Sequence, residues 1–204
     1  NSSLAAYNYE EGVFQDAYGY ASRVLKLEPN NINGNYFSGM AAFELGNFET
    51  ATAALERVVA LDPRNYASLL ALGKIYGKLG NTAKATASFA AALRNAPNDE
   101  QRGQVYLHWG GLLARAMNQD KAVECYNQAA RLSSSPEIRK EALRELVALH
   151  ESTRNVEKSL EALRAYLKID PLDEVFATKA KYYSELHGNS KLKKYEMASL
   201  PDFV

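Results

Sequence analysis

Cysteine is almost missing from this chain. A single one, Cys125, leaves no internal disulfide and no multi-cysteine metal cage. Histidine is scarce as well, with three in 204 residues. None lies four residues from another, and neither an HExxH helix nor a mixed Cys/His ligand spacing occurs. No run approaches 18 apolar residues, so the sequence contains no helical membrane span. Charge of one sign is also absent. Lys plus Arg and Asp plus Glu each number 24, for a formal net charge of zero. A nucleic-acid or anionic-membrane binder ordinarily carries a basic excess, so neither partner is expected. The glycines form no GxxxxGK[ST] loop, which removes the simplest phosphate cradle. The first residue is Asn rather than Met, which leads us to expect a processed chain or a piece of a longer one, from which a targeting segment has been removed.

What the chain does contain is a sentence written twice. Glu44–Pro63 reads ELGNFETATAALERVVALDP, and Lys78–Pro97 reads KLGNTAKATASFAAALRNAP. Pro29, Pro63 and Pro97 keep the same interval as these two stretches, as do Gly12, Gly46 and Gly80, and Ala17, Ala51 and Ala85. Further on, Asn47, Asn81, Asn118, Asn155 and Asn189 follow at gaps of 34, 37, 37 and 34. The three added positions are close to the ~3.6 of one helical turn. An added turn is therefore expected around Pro97 to Gly103 and Ser133 to Glu141. A fixed period of this length signals a repeat architecture.

Each unit reads as two helices. Stretches such as GNFETATAALERVVAL and QDKAVECYNQAARL space apolar residues three and four apart, the pattern of an amphipathic second helix. The preceding Gly suits a left-handed helix end, and the Asn after it suits a cap on the next helix. Pro closes the unit because it cannot continue a helix interior. Small residues recur where two helices must cross closely: Gly39, Gly73 and Gly110 in the first helix, and Ala51, Ala85 and Ala122 in the second.

The pattern resembles the tetratricopeptide repeat over nearly the whole chain. The second unit matches at Gly39, Gly46, Phe48, Ala51, Leu55 and Pro63, the third at Leu72, Gly73, Tyr76, Gly80, Ala85, Phe89 and Pro97. In the fourth, Met117 replaces the turn Gly and Ser134 the Pro; in the fifth, Val147, Arg154 and Ser159 depart. The first unit keeps Gly12, Phe14, Ala17 and Pro29 but has a shortened first helix. The expected fold is all-α, a right-handed α-solenoid of stacked antiparallel helix pairs. It forms a single array over 1–204, with units at about 1–31, 32–65, 66–99, 103–136 and 140–173. A capping pair follows over 174–200, with helices near Glu174 to Leu186 and Ser190 to Ala198. Lys181 and Lys193 stand at its small-residue positions, as a polar terminal face requires.

No catalytic constellation emerges. His150 stands where the third unit has Tyr76 and is expected to pack between helices, while His187 is expected exposed in a turn before Gly188. Nothing near Cys125 argues for an activated thiol. Glu49, Glu56, Asp120 and Glu124 are expected on a solvated outer face. We expect no enzyme activity, no metal and no cofactor.

The resemblance implies instead a concave groove lined by the first helices, holding a peptide or helix of a partner protein. Its expected lining includes Tyr36, Met40, Phe43, Leu70, Lys74, Lys78, Leu107, His108, Arg115 and Arg144. Aromatic and basic anchors carry disproportionate binding energy. Some relatives clamp the carboxylate of heat-shock chaperone tails with Lys, Asn and Arg. Here those positions carry Tyr36, Met40, Ala71, Gln104 and His108, or one unit later Leu70, Lys74, His108, Glu141 and Glu145, so that partner is not expected. Two further readings stand beside the scaffold: an accessory segment of a larger assembly, such as a bacterial envelope, secretion or pilus system, and a self-associating module. A soluble chain, cytoplasmic or periplasmic, is expected on any of them.

Overall fold

The computed structural model describes residues 2–190 and is all-helical there: α1 (Ser2–Glu10), α2 (Phe14–Leu27), α3 (Ile32–Glu44), α4 (Phe48–Leu61), α5 (Tyr66–Lys78), α6 (Thr82–Asn95), α7 (Asp99–Arg115), α8 (Gln119–Leu132), α9 (Pro136–Ser152), α10 (Val156–Leu167) and α11 (Glu174–Ser190). The helices pack as successive antiparallel pairs, and they fall into two compact units, residues 1–98 and 99–204. In the first unit α3 touches α1, α2, α4 and α5; in the second, α9 touches α7, α8 and α10. No described helix is long and apolar enough to cross a membrane.

Turn chemistry explains where the helices stop. Gly12, Gly46 and Gly80 end their helices at φ of 76°, 79° and 75°, a conformation that costs glycine little. Met117 and Arg154 hold the same turn at 58° and 56° despite carrying side chains, so the later turns form against local preference. The Asn after each turn caps less uniformly than its recurrence suggests. Asn81 and Asn155 accept from the Lys84 and Lys158 amides, whereas Asn47 and Asn118 make no side-chain cap. Caps also sit at the other junction, where Asn31, Asn65 and Ser135 accept from the Gly34, Ser68 and Ile138 amides.

Packing within each pair centres on one contact. A Cβ on Gly39 would come within 2.7 Å of Leu55, one on Gly73 within 2.6 Å of the Phe89 ring, and one on Gly110 within 2.8 Å of the Tyr126 ring. The glycine and its large partner keep one sequence separation in all three pairs, and each large side chain is at most 2% exposed. Burying one contributes roughly 1.5–3 kcal/mol. In the pair α9–α10 the same two positions carry Val147 and Leu163, both buried, so bulk has moved onto the first helix.

α7 and α9 are 17 residues long against 13 for α3 and α5, and the added turn lies at their N-terminal ends. That turn gives the second unit a distinctive tie. The Glu100 carboxylate on α7 accepts from the hydroxyls of Ser133 and Ser134, both at 2.9 Å, and from the amides of Ser134 and Ser135 at 2.8 and 3.1 Å. It thereby closes the N-terminus of α9, where partial positive charge gathers. The Ser133 hydroxyl bond holds the Glu100 carboxyl below its usual range; a smaller burial effect opposes, and the Ser134 and Ser135 bonds add to the lowering.

At the far end the structure corrects one expectation. α11 runs on through His187 and Gly188, so no turn forms there. Gly188 is not among the glycines with positive φ, and nothing before it stops the helix. The second helix of the expected capping pair, with Lys193, lies outside the described residues.

Two outcomes follow from these contacts. Gly73→Ala should destabilise the protein by about 1–3 kcal/mol of overpacking, offset by up to ~1 kcal/mol of helix propensity. Phe89→Leu in the same chain should recover part of the loss in urea titration. Because the Glu100 pKa is depressed in the folded state, its contribution is complete above the ordinary carboxylate range and lost as pH falls through the folded value. Glu100→Gln should lower the urea midpoint at neutral pH and flatten that acid limb.

Candidate partner-binding surface

The expected groove residues are described within each unit. In the first, α1, α3 and α5 lie side by side and present an aromatic cluster. Tyr36 meets Phe37 edge-on at 5.2 Å, Phe37 lies 6.1 Å from Tyr9, and Tyr9 lies 5.5 Å from Phe14. Burial, then Glu44, then Tyr36 push the Tyr9 hydroxyl up to about 12. Burial likewise raises Tyr36. Tyr36 and Met40 are half-buried and retain accessible surface.

Phe43 is 8% exposed, and what covers it is charge. The ammonium groups of Lys74 and Lys78 each stand 5.4 Å from its ring centroid, and Lys78 is also 5.8 Å from Phe48. Phe43 and Phe48 are themselves 6.0 Å apart. Neither lysine has a salt-bridge partner among the described residues. Two cations thus share one aromatic ring, with no anion paired to them among the described residues. Stacking of this kind contributes ~0.5–1 kcal/mol at exposed sites and leaves the ammonium free to meet a carboxylate.

In the second unit several charges are paired internally. Arg144 donates to the Tyr166 hydroxyl at 2.6 Å and lies 5.2 Å over that ring, while the same hydroxyl donates to Asp173 at 3.0 Å. Lys179 and Tyr183 both donate to Glu151, at 3.1 and 3.0 Å. Tyr126 reaches Glu145 at 3.4 Å. Arg115 is exposed and His108 half-buried.

Of the ten residues expected to line a groove, Phe43, Leu70 and Leu107 are buried at 8%, 8% and 6% exposure. Leu107 belongs to the core of the second unit. These three support the surface from beneath and offer little area of their own. Helix periodicity marks a face but does not say how far a neighbour covers it. Tyr9 was missed although the period points to it, since it stands one full repeat before Phe43, as Phe14 stands before Phe48. The aromatic pair is itself repeated.

Elsewhere the polar residues are quiet. Burial, then Glu124, pushes the Cys125 thiol up to about 11, away from thiolate chemistry. Glu49, Asp120 and Glu124 are exposed as expected, and Glu56, also exposed, accepts a bond from the Tyr76 hydroxyl. No group of three His, Cys, Asp or Glu residues among those described could hold a metal ion.

Helix pairs, glycine crossings and a fixed period define the fold as a stack of helical hairpins. Residues 38–100 match the family model described as tetratricopeptide repeat. Among solved structures the chain is similar to TTC0263 of Thermus thermophilus, described as a thermophilic TPR protein, at 22% identity and a TM-score of 0.64, covering 90% of this chain and 96% of that one. The C-terminal part of a TPR repeat-containing protein from Cytophaga hutchinsonii superposes at a TM-score of 0.77 with 14% identity, covering 93% and 72%. YrrB, described as a TPR protein with an unusual peptide-binding site, gives 0.66 at 20% identity over 87% and 88%. No curated protein matches in sequence.

Burial separates structural from surface roles in this set. Phe43→Ala should cost about 3–5 kcal/mol of stability, as large-to-small core changes do. Tyr36→Ala and the Lys74→Ala, Lys78→Ala pair should cost far less, each lysine within about 0.5 kcal/mol. Thermal denaturation of the variants checks the ranking.

Proposed function

We propose that the chain is a non-enzymatic interaction scaffold whose first unit holds a segment of a partner protein against the α3–α5 face. The observation that carries this reading is the unneutralised lysine pair over Phe43. A charge stacked on an aromatic floor is partly desolvated, and an arriving carboxylate is worth more there than in open water. Tyr36 and Met40 on the same helix supply adjacent apolar surface. The fitting partner is therefore an apolar segment that carries Asp or Glu. The description of YrrB as having a peptide-binding site supports the general use of such a fold.

In this reading Tyr36, Met40, Lys74 and Lys78 touch the partner, while Phe43 and Leu70 hold them in place. A well-placed anchor contributes ~2 kcal/mol or more, and the ionic part weakens as salt screens it.

The test is selection of random peptides on the full-length protein. Enriched peptides should pair acidic with aromatic or aliphatic residues and should bind more weakly at high salt. The double variant Lys74→Glu, Lys78→Glu should lose them by tenfold or more, which is about 1.4 kcal/mol. Peptides that bind wild type and variant alike would place the interaction elsewhere.

A further inference from the structure

The same cleft occurs twice, once in each unit, with one residue exchanged that matters. In the first unit a cleft of about 320 Å³ lies between α4, α5 and α6, bordered by Glu56, Tyr76 and Lys84. In the second, a cleft of about 310 Å³ lies between α8, α9 and α10, bordered by Asn127, His150 and Lys158. His150 stands in the place of Tyr76 and Lys158 in the place of Lys84, two repeats further along the chain. The tyrosine is settled: its hydroxyl bonds Glu56, Lys84 lies 5.1 Å over its ring, and burial followed by Glu56 pushes it up to about 12. Nothing in the physiological range ionises it. A histidine in that place gains a proton under mild acid.

We propose that the α9–α10 hairpin is an acid-released element of the second unit, with His150 as its trigger. His150 is 8% exposed. From α10 it faces Lys158 and Glu161; α8 contributes uncharged Val123 and Asn127, α9 itself contributes Leu143 and Leu146, and α7 adds no lining residue. An imidazolium here must form largely out of solvent, in a cleft of mixed lining, beside an ammonium. Glu161 and the C-terminal end of α9 favour that cation, but burial and Lys158 outweigh them and hold the imidazole below its usual range. Neutral His150 therefore belongs to the folded state. Stability is complete above the ordinary histidine range and is lost as pH falls through the folded value.

The hairpin is also the place where local rules are broken together. Arg154 holds its turn in the left-handed region at φ 56°. Ser159 occupies the position of Ala51, Ala85 and Ala122, is 1% exposed, and its hydroxyl finds no partner among the described residues. The carbonyl of His150 closes the turn by accepting from the Asn155 amide at 2.8 Å. Departures concentrated in one element mark a weak unit within a stronger fold. Release would also act outward, since the next residue, Glu151, holds Lys179 and Tyr183 of α11.

Hydrogen exchange of the full chain at about pH 7.5 and about pH 5.5, corrected for intrinsic rates, tests this. Peptides covering 150–167 should exchange on the order of threefold faster in acid, while those covering 76–95 stay unchanged. His150→Tyr should abolish the difference. Lys158→Glu, at an exposed position that leaves folding intact, should shrink it by stabilising the imidazolium. Equal acceleration in both hairpins, no acceleration in either, or a response that survives both substitutions would overturn the proposal.

Discussion

Three of the helix pairs, α3–α4, α5–α6 and α7–α8, rest on two helix axes coming closer than a β-carbon allows. Gly39, Gly73 and Gly110 supply the missing atom, and Leu55, Phe89 and Tyr126 fill the space from the partner helix. The contact couples sequence to shape, because glycine and partner recur at one constant separation. It brings the first helix of each such pair close against the second.

The two units use a common frame for different electrostatics. In the first, cations rest on aromatic rings and keep their charge available. In the second, arginine, lysine and tyrosine are drawn into bonds with Asp173, Glu145 and Glu151 that tie α8 to α9 and α9 to α11. Repetition of the backbone thus leaves charge placement free to vary. A repeat scaffold acquires a site wherever one unit leaves its charges unspent.

Helix pairs, turns and close crossings were legible in the sequence because each depends on single residues recurring at a fixed interval. The added turns of α7 and α9 could be counted from the Asn spacing. Depth was not legible. Phe43, Leu70 and Leu107 carry the periodicity of an outward face yet are buried, because cover comes from side chains on another helix. The cations over Phe43 and the four-donor seat of Glu100 link residues about one repeat apart, and no local pattern announces them. Capping was half legible. Asn81 and Asn155 behave as their type suggests, while Asn47 and Asn118 do not.

Glu100 carries one more implication. The start of a helix is where proteins commonly receive phosphate, and the start of α9 is already filled by the chain's own carboxylate. The amides of Ser134 and Ser135, just ahead of that helix, are thus already engaged. Because Glu100 sits in the first turn of α7, a dissected second unit keeps these bonds only when the cut falls ahead of residue 100.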